Sequence, residues 1–249
     1  MEDSQGDTGG SAAPGASGGP PGDVVRASLI LSGLGFVEAF GHVSARESET
    51  DFFITPRKGL TSVGEEELLR IRSVPGAALE VLGGDPQALP IEAVIHGAIY
   101  AARPDVCGIC RDHPHATSVL AAGGAVIRPV HALGAAGGGA TPVYDTPALV
   151  SDWDAGRSLA EALGSASAVV MRGNGRVVVG SSVPESCARA VLLEESAQIQ
   201  LAALCAGLTP RYLTDAEIEN AVRDIASPRQ IMRVWEHYCA KHCAKTRAR

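Results

Sequence analysis

Residues 89–120 read LPIEAVIHGAIYAARPDVCGICRDHPHATSVL, and the fold is decided here. The stretch opens at helical spacing. Val94, Ile95, Ala98 and Ile99 share one face, and Glu92, His96 and Tyr100, four apart, share another. An Arg103-Pro104-Asp105 turn follows. Residues 106–110 are an apolar run without polar alternation, which predicts a short strand covered on both faces. The strand ends in Arg111, Asp112, His113, Pro114 and His115. Ionisable groups at the end of a buried strand, beside a helix carrying a Glu, make a candidate active site. Plainer readings stand beside it. Glu92 also suits a first-turn acid that complements the helix dipole. His113 and His115 also suit a polar loop; on an extended backbone they point the same way and can share a ligand.

Outward from this centre, residues 41–46 and 52–55 read as two strands joined by the polar turn Glu47-Ser48-Glu49-Thr50. Residues 56–59 form a loop with two cations, Arg57 and Lys58. Residues 65–71 read as a short helix with acids in its first turn, and 74–84 as a hairpin. Residues 126–133 read as a strand containing His131, and 134–139 as a flexible Gly-rich loop. A short strand at 142–144, a helix at 147–163 and a strand pair at 168–171 and 176–179 come next. Three helices close the chain. Residues 184–205 start with Pro, 214–225 carry a Thr214/Glu217 capping box, and 228–241 are the last. Hairpins mixed with helices predict an α/β fold, a three-layer αβα sandwich around a largely antiparallel sheet.

Composition narrows the function. Apolar residues make up 45% of the 249, enough for one core domain. Residues 1–22 are Gly-, Ser- and Pro-rich and are expected to be disordered, 24–207 to form the domain, and 208–249 a helical extension whose last five residues fray. A net charge of −7 argues against nucleic acid as partner. No apolar run approaches the ~18 residues that span a bilayer. Six cysteines without a secreted pattern fit a reducing cytoplasm, and Cys107 and Cys110 read as buried thiols.

Several ordered motifs carry a resemblance over residues 24–207. They are Gly41-His42-Val43-Ser44-Ala45-Arg46, then Phe53-Ile54-Thr55-Pro56, then Glu92-x-x-x-His96 with Arg103-Pro104-Asp105-Val106, and last Val169-Val170-Met171-Arg172-Gly173-Asn174-Gly175 with Gly180. Together they resemble the class II aldolase/adducin family, which includes fuculose-phosphate aldolases and ribulose-phosphate 4-epimerases. The resemblance implies a sheet flanked by helices and a homotetramer with sites near subunit boundaries. It also implies a divalent metal, usually zinc, on three histidines, with a Glu moving protons. A dication beside a developing oxyanion stabilises it by several kcal/mol.

Glu92 matches the family Glu and His113 the second histidine of its His-x-His pair. Arg111 stands where the first belongs and Asn174 where the third belongs. Arginine stays protonated and does not bind a metal. Three outcomes are open. His113 and His115 could rebuild a site for zinc, manganese or iron, with His131 or His42 as a further ligand. Arg111, His113 and His115 could supply the positive charge themselves. Or the site could be dead and the fold kept for assembly, as in adducin.

The anion-binding positions differ as well. They hold His42, Arg57-Lys58 and Pro90-Ile91 in place of small hydroxyl residues. Ser44 and Asn174 complete the expected substrate wall, and the apolar Ile91 and Phe52 are expected to tolerate a flat or hydrophobic body. Arg57 can grip a carboxylate bidentately, so a small organic acid fits better than a sugar phosphate. The leading expectation is a carbon–carbon lyase, a decarboxylase more than an aldolase. Its substrate would be a small hydroxylated or keto carboxylate, with dihydroxyphthalates as one case among family members. Glu92, His113 and Arg111 are its expected catalytic residues. An adducin-like assembly module and an iron-dependent oxygenase are the alternatives.

Overall fold

The computed structural model describes residues 19–243. The expected disordered tail, apart from residues 19–22, and the fraying C-terminal residues lie outside them.

Strand β5 (Gly108–Asp112) runs through the middle of the sheet, buried along its whole length. The strands, numbered in chain order, are β1 (His42–Arg46), β2 (Asp51–Ile54), β3 (Leu69–Arg72), β4 (Glu80–Gly83), β5, β6 (Val143–Tyr144), β7 (Ala168–Met171) and β8 (Arg176–Gly180). Their spatial order is β4-β3-β2-β1-β5-β8-β7-β6. Every pairing is antiparallel except that of β6 with β7.

The helices are α1 (Gly19–Gly33), α2 (Ala93–Ala102), α3 (His115–Ala122), α4 (Trp153–Leu163), α5 (Val183–Cys205), α6 (Asp215–Asp224) and α7 (Pro228–His242). Period-two alternation splits the strand side chains between two cores. Ile54, Ile71, Ile109, Val177 and Val179 pack with α2 and α4 on one face. Val43, Ala45, Cys110 and Val178 pack with α1, α5 and α7 on the other. The result is the expected three-layer sandwich.

The C-terminal helices keep their sequence signals. Thr214 and Glu217 form a capping box at α6, and Ile231 and Trp235 anchor α7 in the core it shares with α1 and α5. Among the described residues no helix is long and apolar enough to cross a membrane.

Local corrections have local causes. The expected helix at 65–71 is one 3₁₀ turn, Glu65–Glu67, followed by β3. Leu69 and Ile71 are buried while Arg70 and Arg72 are exposed, a strand alternation that outweighs the acidic start. The hairpin at 74–84 is a single strand, β4, on the sheet edge. Residues 19–22, expected in the tail, form the first turn of α1, where proline is tolerated. Helix α4 starts at Trp153 because Asp152 caps it, accepting from the Ala155 amide.

Residues 126–133 form no strand. The Gln200 side chain on α5 donates to the Val126 carbonyl and accepts from the Arg128 amide, and so replaces a sheet partner. The Gly-rich loop opens with a 3₁₀ segment, Leu133–Gly137, in which Gly134, Ala135, Ala136 and Gly137 are buried. A Cβ on Gly137 would lie 2.2 Å from Leu193 Cδ2, so glycine here serves close packing on α5.

Candidate active site

Two repeats meet where α2 crosses β1. Alternate strand residues step about 6.7 Å, and helix residues four apart step about 6 Å, so the two rows stay in register. From β1 come His42, Ser44 and Arg46; from α2 come His96 and Tyr100. They interleave in a line. His42 Nδ1 and His96 Nε2 share a hydrogen bond at 2.6 Å. His96 Nδ1 and Ser44 Oγ share one at 2.5 Å. Ser44 Oγ and Tyr100 Oη share one at 2.7 Å. The Arg46 guanidinium covers the Tyr100 ring at 4.6 Å and donates to the Tyr100 carbonyl.

A cavity of about 470 Å³ opens at the His42 end of this line. It is lined by Phe40, His42, Arg57, Lys58, Ile91, Glu92, Arg111, His113, Leu149 and Asn174, among others. Four elements meet there: the start of β1, the end of β5, the N-terminus of α2 and the β7–β8 turn. Glu92 occupies the N-cap position of α2, but its side chain caps nothing. Arg111 Nη2 instead donates to Glu92 Oε2 at 2.9 Å, and Asn174 Nδ2 donates to Oε1 at 2.9 Å. Arg111 Nη1 lies 2.8 Å from His113 Nε2. His42 Nε2 stands 3.9 Å from Glu92 Oε2.

A buried base fixes this cluster from the opposite face of the sheet. Arg176 donates to both carboxylate oxygens of Asp112, at 2.9 and 3.1 Å. Glu194 on α5 accepts from the amides of Ala116 and Thr117 and from the Thr117 hydroxyl, and so caps α3 from outside. Gly175 has φ of +69°, and a Cβ there would come within 2.2 Å of the Asp112 carbonyl and 3.0 Å of Arg111 Nη1. A side chain at this turn would displace both strands of the site.

Burial sets the charges. Arg111 is 1% exposed. Desolvation pulls its pKa below the ordinary guanidinium value, and Glu92 and Asp112 oppose that pull. It remains a cation at neutral pH. His113 is pushed below the usual imidazole value by burial and then by Arg111. His42 is pushed well below it by burial, His96, Arg111 and His113. Burial and Arg111 bring His96 down to about 3. Burial raises Tyr100. The three imidazoles and the phenol are therefore neutral at pH 7.

The two loop cations differ. Lys58 Nζ is held by Glu67 at 2.6 Å, which draws the Glu67 carboxyl below its usual range. Arg57 donates to the Gln87 carbonyl, and among the described residues no carboxylate pairs with it.

Of the sequence-predicted residues, the structure gathers Glu92, Arg111, His113, His42, Arg57, Lys58 and Asn174 around one cavity. Ser44 does not reach it; one strand step further in, it is fully buried between His96 and Tyr100. His115 does not line this cavity. Pro114 ends the extended segment and His115 begins α3, where it is exposed and faces a neighbouring depression that His113 also borders. His131 lies beside Gly134 and Ser196, against α5. Reading the residues one by one missed Phe40 and Leu149 in the cavity wall, and the partnership of His96 with His42. The four-residue spacing of Glu92, His96 and Tyr100 was the available signal for the last.

The metal implied by the resemblance can be tested against these donors. The three ligand positions hold Arg111, His113 and Asn174. A permanently charged guanidinium fills the space beside His113 and binds Glu92 directly. Among the described residues no three His, Cys, Asp or Glu side chains converge to hold a metal ion. The residues present do not fit the family's metal.

Comparison with known proteins agrees with the architecture. Residues 22–201 match the family model for the class II aldolase and adducin N-terminal domain. A 3,4-dihydroxyphthalate decarboxylase of Terrabacter sp. (strain DBF63) is 30% identical over 232 residues, covering 88% of this chain and 95% of that protein. One from Rhodococcus jostii (strain RHA1) is 29% identical over 232 residues, with 88% and 93% covered. The L-fuculose 1-phosphate aldolase of Glaciozyma antarctica PI12 superposes with a TM-score of 0.73 at 20% identity, over 90% of each chain, and so shares the fold. With the family model spanning most of its length and the same sheet and helices in place, the chain belongs to the class II aldolase and adducin family.

Proposed function

We propose that the chain is a carbon–carbon lyase that decarboxylates a hydroxylated aromatic acid, with the Arg111 guanidinium supplying the positive charge. The observation that carries this reading is the arrangement of Glu92. Arg111 and Asn174 both donate to it at the cavity wall, so it starts as a carboxylate able to take a proton.

The mechanism follows from these positions. An ortho-hydroxylated aromatic acid enters with its ring against the apolar Phe40, Ile91 and Leu149, and Arg57 grips a carboxylate. Glu92 takes the hydroxyl proton and returns it to the ring carbon bearing the departing carboxylate. The carbon–carboxylate bond breaks, its electron pair re-forms the ring and leaves charge on the oxygen, and CO2 departs. Arg111 lies on the wall where that oxyanion develops, and a preorganised donor of this kind is worth about 3–4 kcal/mol. Protonation of the product oxyanion restores the hydroxyl, so each turnover consumes one proton. The names of the curated relatives support the substrate class.

The test is CO2 release from 3,4-dihydroxyphthalate and a panel of other hydroxylated benzoates, with and without prior EDTA treatment. Release that survives EDTA and falls at least ~100-fold in Glu92→Gln supports the reading. Cleavage of a ketose phosphate without CO2 release from any acid would replace it with an aldolase. The same proposal has the chain assemble as a homotetramer. Phe40, 78% exposed at the cavity mouth, is an apolar edge for a neighbouring subunit to cover, and light scattering gives the mass.

A further inference from the structure

The proposed reaction consumes a proton in a cavity that a flat aromatic substrate fills, with Phe40, Ile91 and Leu149 at its mouth. The line of groups behind His42 runs from that cavity to another part of the surface. Tyr100, at its far end, also lines a second cavity of about 310 Å³, together with Arg46, Asp51, Ser73 and the exposed Glu49. We propose that Tyr100, Ser44, His96 and His42 form a proton relay between β1 and α2, which carries the proton consumed in each turnover from water in the second cavity through the Glu92 carboxylate to the product oxyanion. The inference rests on the decarboxylase reading above.

The proton count supports a relay over a merely satisfied polar core. Four groups carry four transferable protons: one on each hydroxyl and one on each neutral imidazole. Four links need filling: Tyr100 to Ser44, Ser44 to His96, His96 to His42, and His42 to Glu92. The first three are hydrogen bonds of 2.5 to 2.7 Å, and the fourth is a gap of 3.9 Å. One orientation fills all four in the same direction. Tyr100 donates to Ser44, Ser44 to His96 Nδ1, His96 Nε2 to His42 Nδ1, and His42 Nε2 points at Glu92. When His42 gives up its proton, each group takes the next along the line and Tyr100 takes one from water. Rotation of the hydroxyls and flipping of the rings reset the line between turnovers. No group is left charged, which suits side chains as buried as His96 and Ser44, both 0% exposed.

The packing holds the line in place. The Phe52 ring stacks on His96 with centroids 6.3 Å apart at 15°, and Arg46 clamps the Tyr100 ring. Phe52 and Arg46 reach the second cavity but not the first. An isolated polar pair would not need to extend from one cavity to the other.

The experiment is a proton inventory on CO2 release, with kcat followed across mixtures of H2O and D2O, in wild type, Tyr100→Phe and Ser44→Ala. Both substitutions remove one hydroxyl and keep the shape, and thermal melts confirm that they fold. Wild type is expected to give a curved, multi-proton dependence. Each variant is expected to lose kcat by roughly tenfold, a modest part of a general-acid contribution, with KM unchanged and the curve reduced to a line. A linear or absent isotope effect in wild type, or curvature unchanged in Tyr100→Phe, overturns the relay. Absence of CO2 from every acid in wild type overturns the decarboxylase reading instead. Histidine ¹⁵N spectra then still test the line on its own terms: the His42 and His96 signals must both shift in Tyr100→Phe, and unshifted signals overturn the relay.

Discussion

Arg111 Nη2 and Glu92 Oε2 stand 2.9 Å apart at the wall of the main cavity, and the two side chains are 1% and 12% exposed. Breaking a buried pair from one side leaves the other charge uncompensated. Arg111→Met is therefore expected to cost about 3–5 kcal/mol of stability and to abolish CO2 release. Adding Glu92→Gln should recover most of the stability and none of the activity. Urea melts and the CO2 assay check both halves. A single variant as stable as wild type would mean that the pair is solvated.

Arg57 and Lys58 are neighbours with different expected effects. Glu67 already holds Lys58, while Arg57 has only a backbone carbonyl. If Arg57 grips the substrate carboxylate, Arg57→Ala loses a charged hydrogen-bonded contact worth about 1.5–3 kcal/mol, a rise in KM of roughly 10- to 100-fold. Lys58→Ala should change KM by less than about threefold, as for an exposed ion pair. Steady-state kinetics on the same acid separate the two. Equal effects would assign the carboxylate to both cations.

The sheet, the helices and most of the cavity wall were legible in the sequence because they rest on short-range pattern. The apolar run before Arg111 and the helical spacing around His96 predict β5 and α2 without tertiary information. What was hidden depended on partners far along the chain. Residues 126–133 look like a strand, but Gln200 on α5 takes their hydrogen bonds. Ser44 looks like a substrate ligand, but one strand step places it behind His42. His115 looks paired with His113, but the turn at Pro114 starts a helix that Glu194 caps from the other face of the sheet. The glycines at 134 and 137 read as freedom and turn out to be close packing.

The Arg176–Asp112 pair lies directly beneath the site and is almost fully buried, at 2% and 0% exposure. Arg176 also donates to the Ala190 carbonyl and to the Thr117 hydroxyl, so it ties β5, β8, α3 and α5 together. Arg176→Met is expected to cost about 3–5 kcal/mol, as for any buried pair broken from one side. Because Asp112 sits between Arg111 and His113, CO2 release should fall even under conditions where the variant remains folded. Circular dichroism with the CO2 assay reads both. Full activity in a folded variant would show that the base does not position the site.

The buried histidines also make stability depend on pH. In the folded chain His96 is held at about 3, against 6.5 for a free imidazole. His42 and His113 are lowered as well, each chiefly by burial. Below pH 6.5 the unfolded chain takes protons that the folded chain refuses, so the contribution is complete above that pH and is lost as pH falls toward 3. Each such histidine adds a slope of up to about 1.4 kcal/mol per pH unit within the window. The melting temperature should be level with respect to these groups above pH 7 and fall steeply between pH 6.5 and 5, before the carboxylates begin to protonate. His96→Gln should remove one histidine's share of that slope while shifting the whole curve down, since His42 and Ser44 lose a partner. Scanning calorimetry from pH 5 to 8 on both proteins checks this. An identical slope in the variant would mean that His96 takes up a proton in the folded protein.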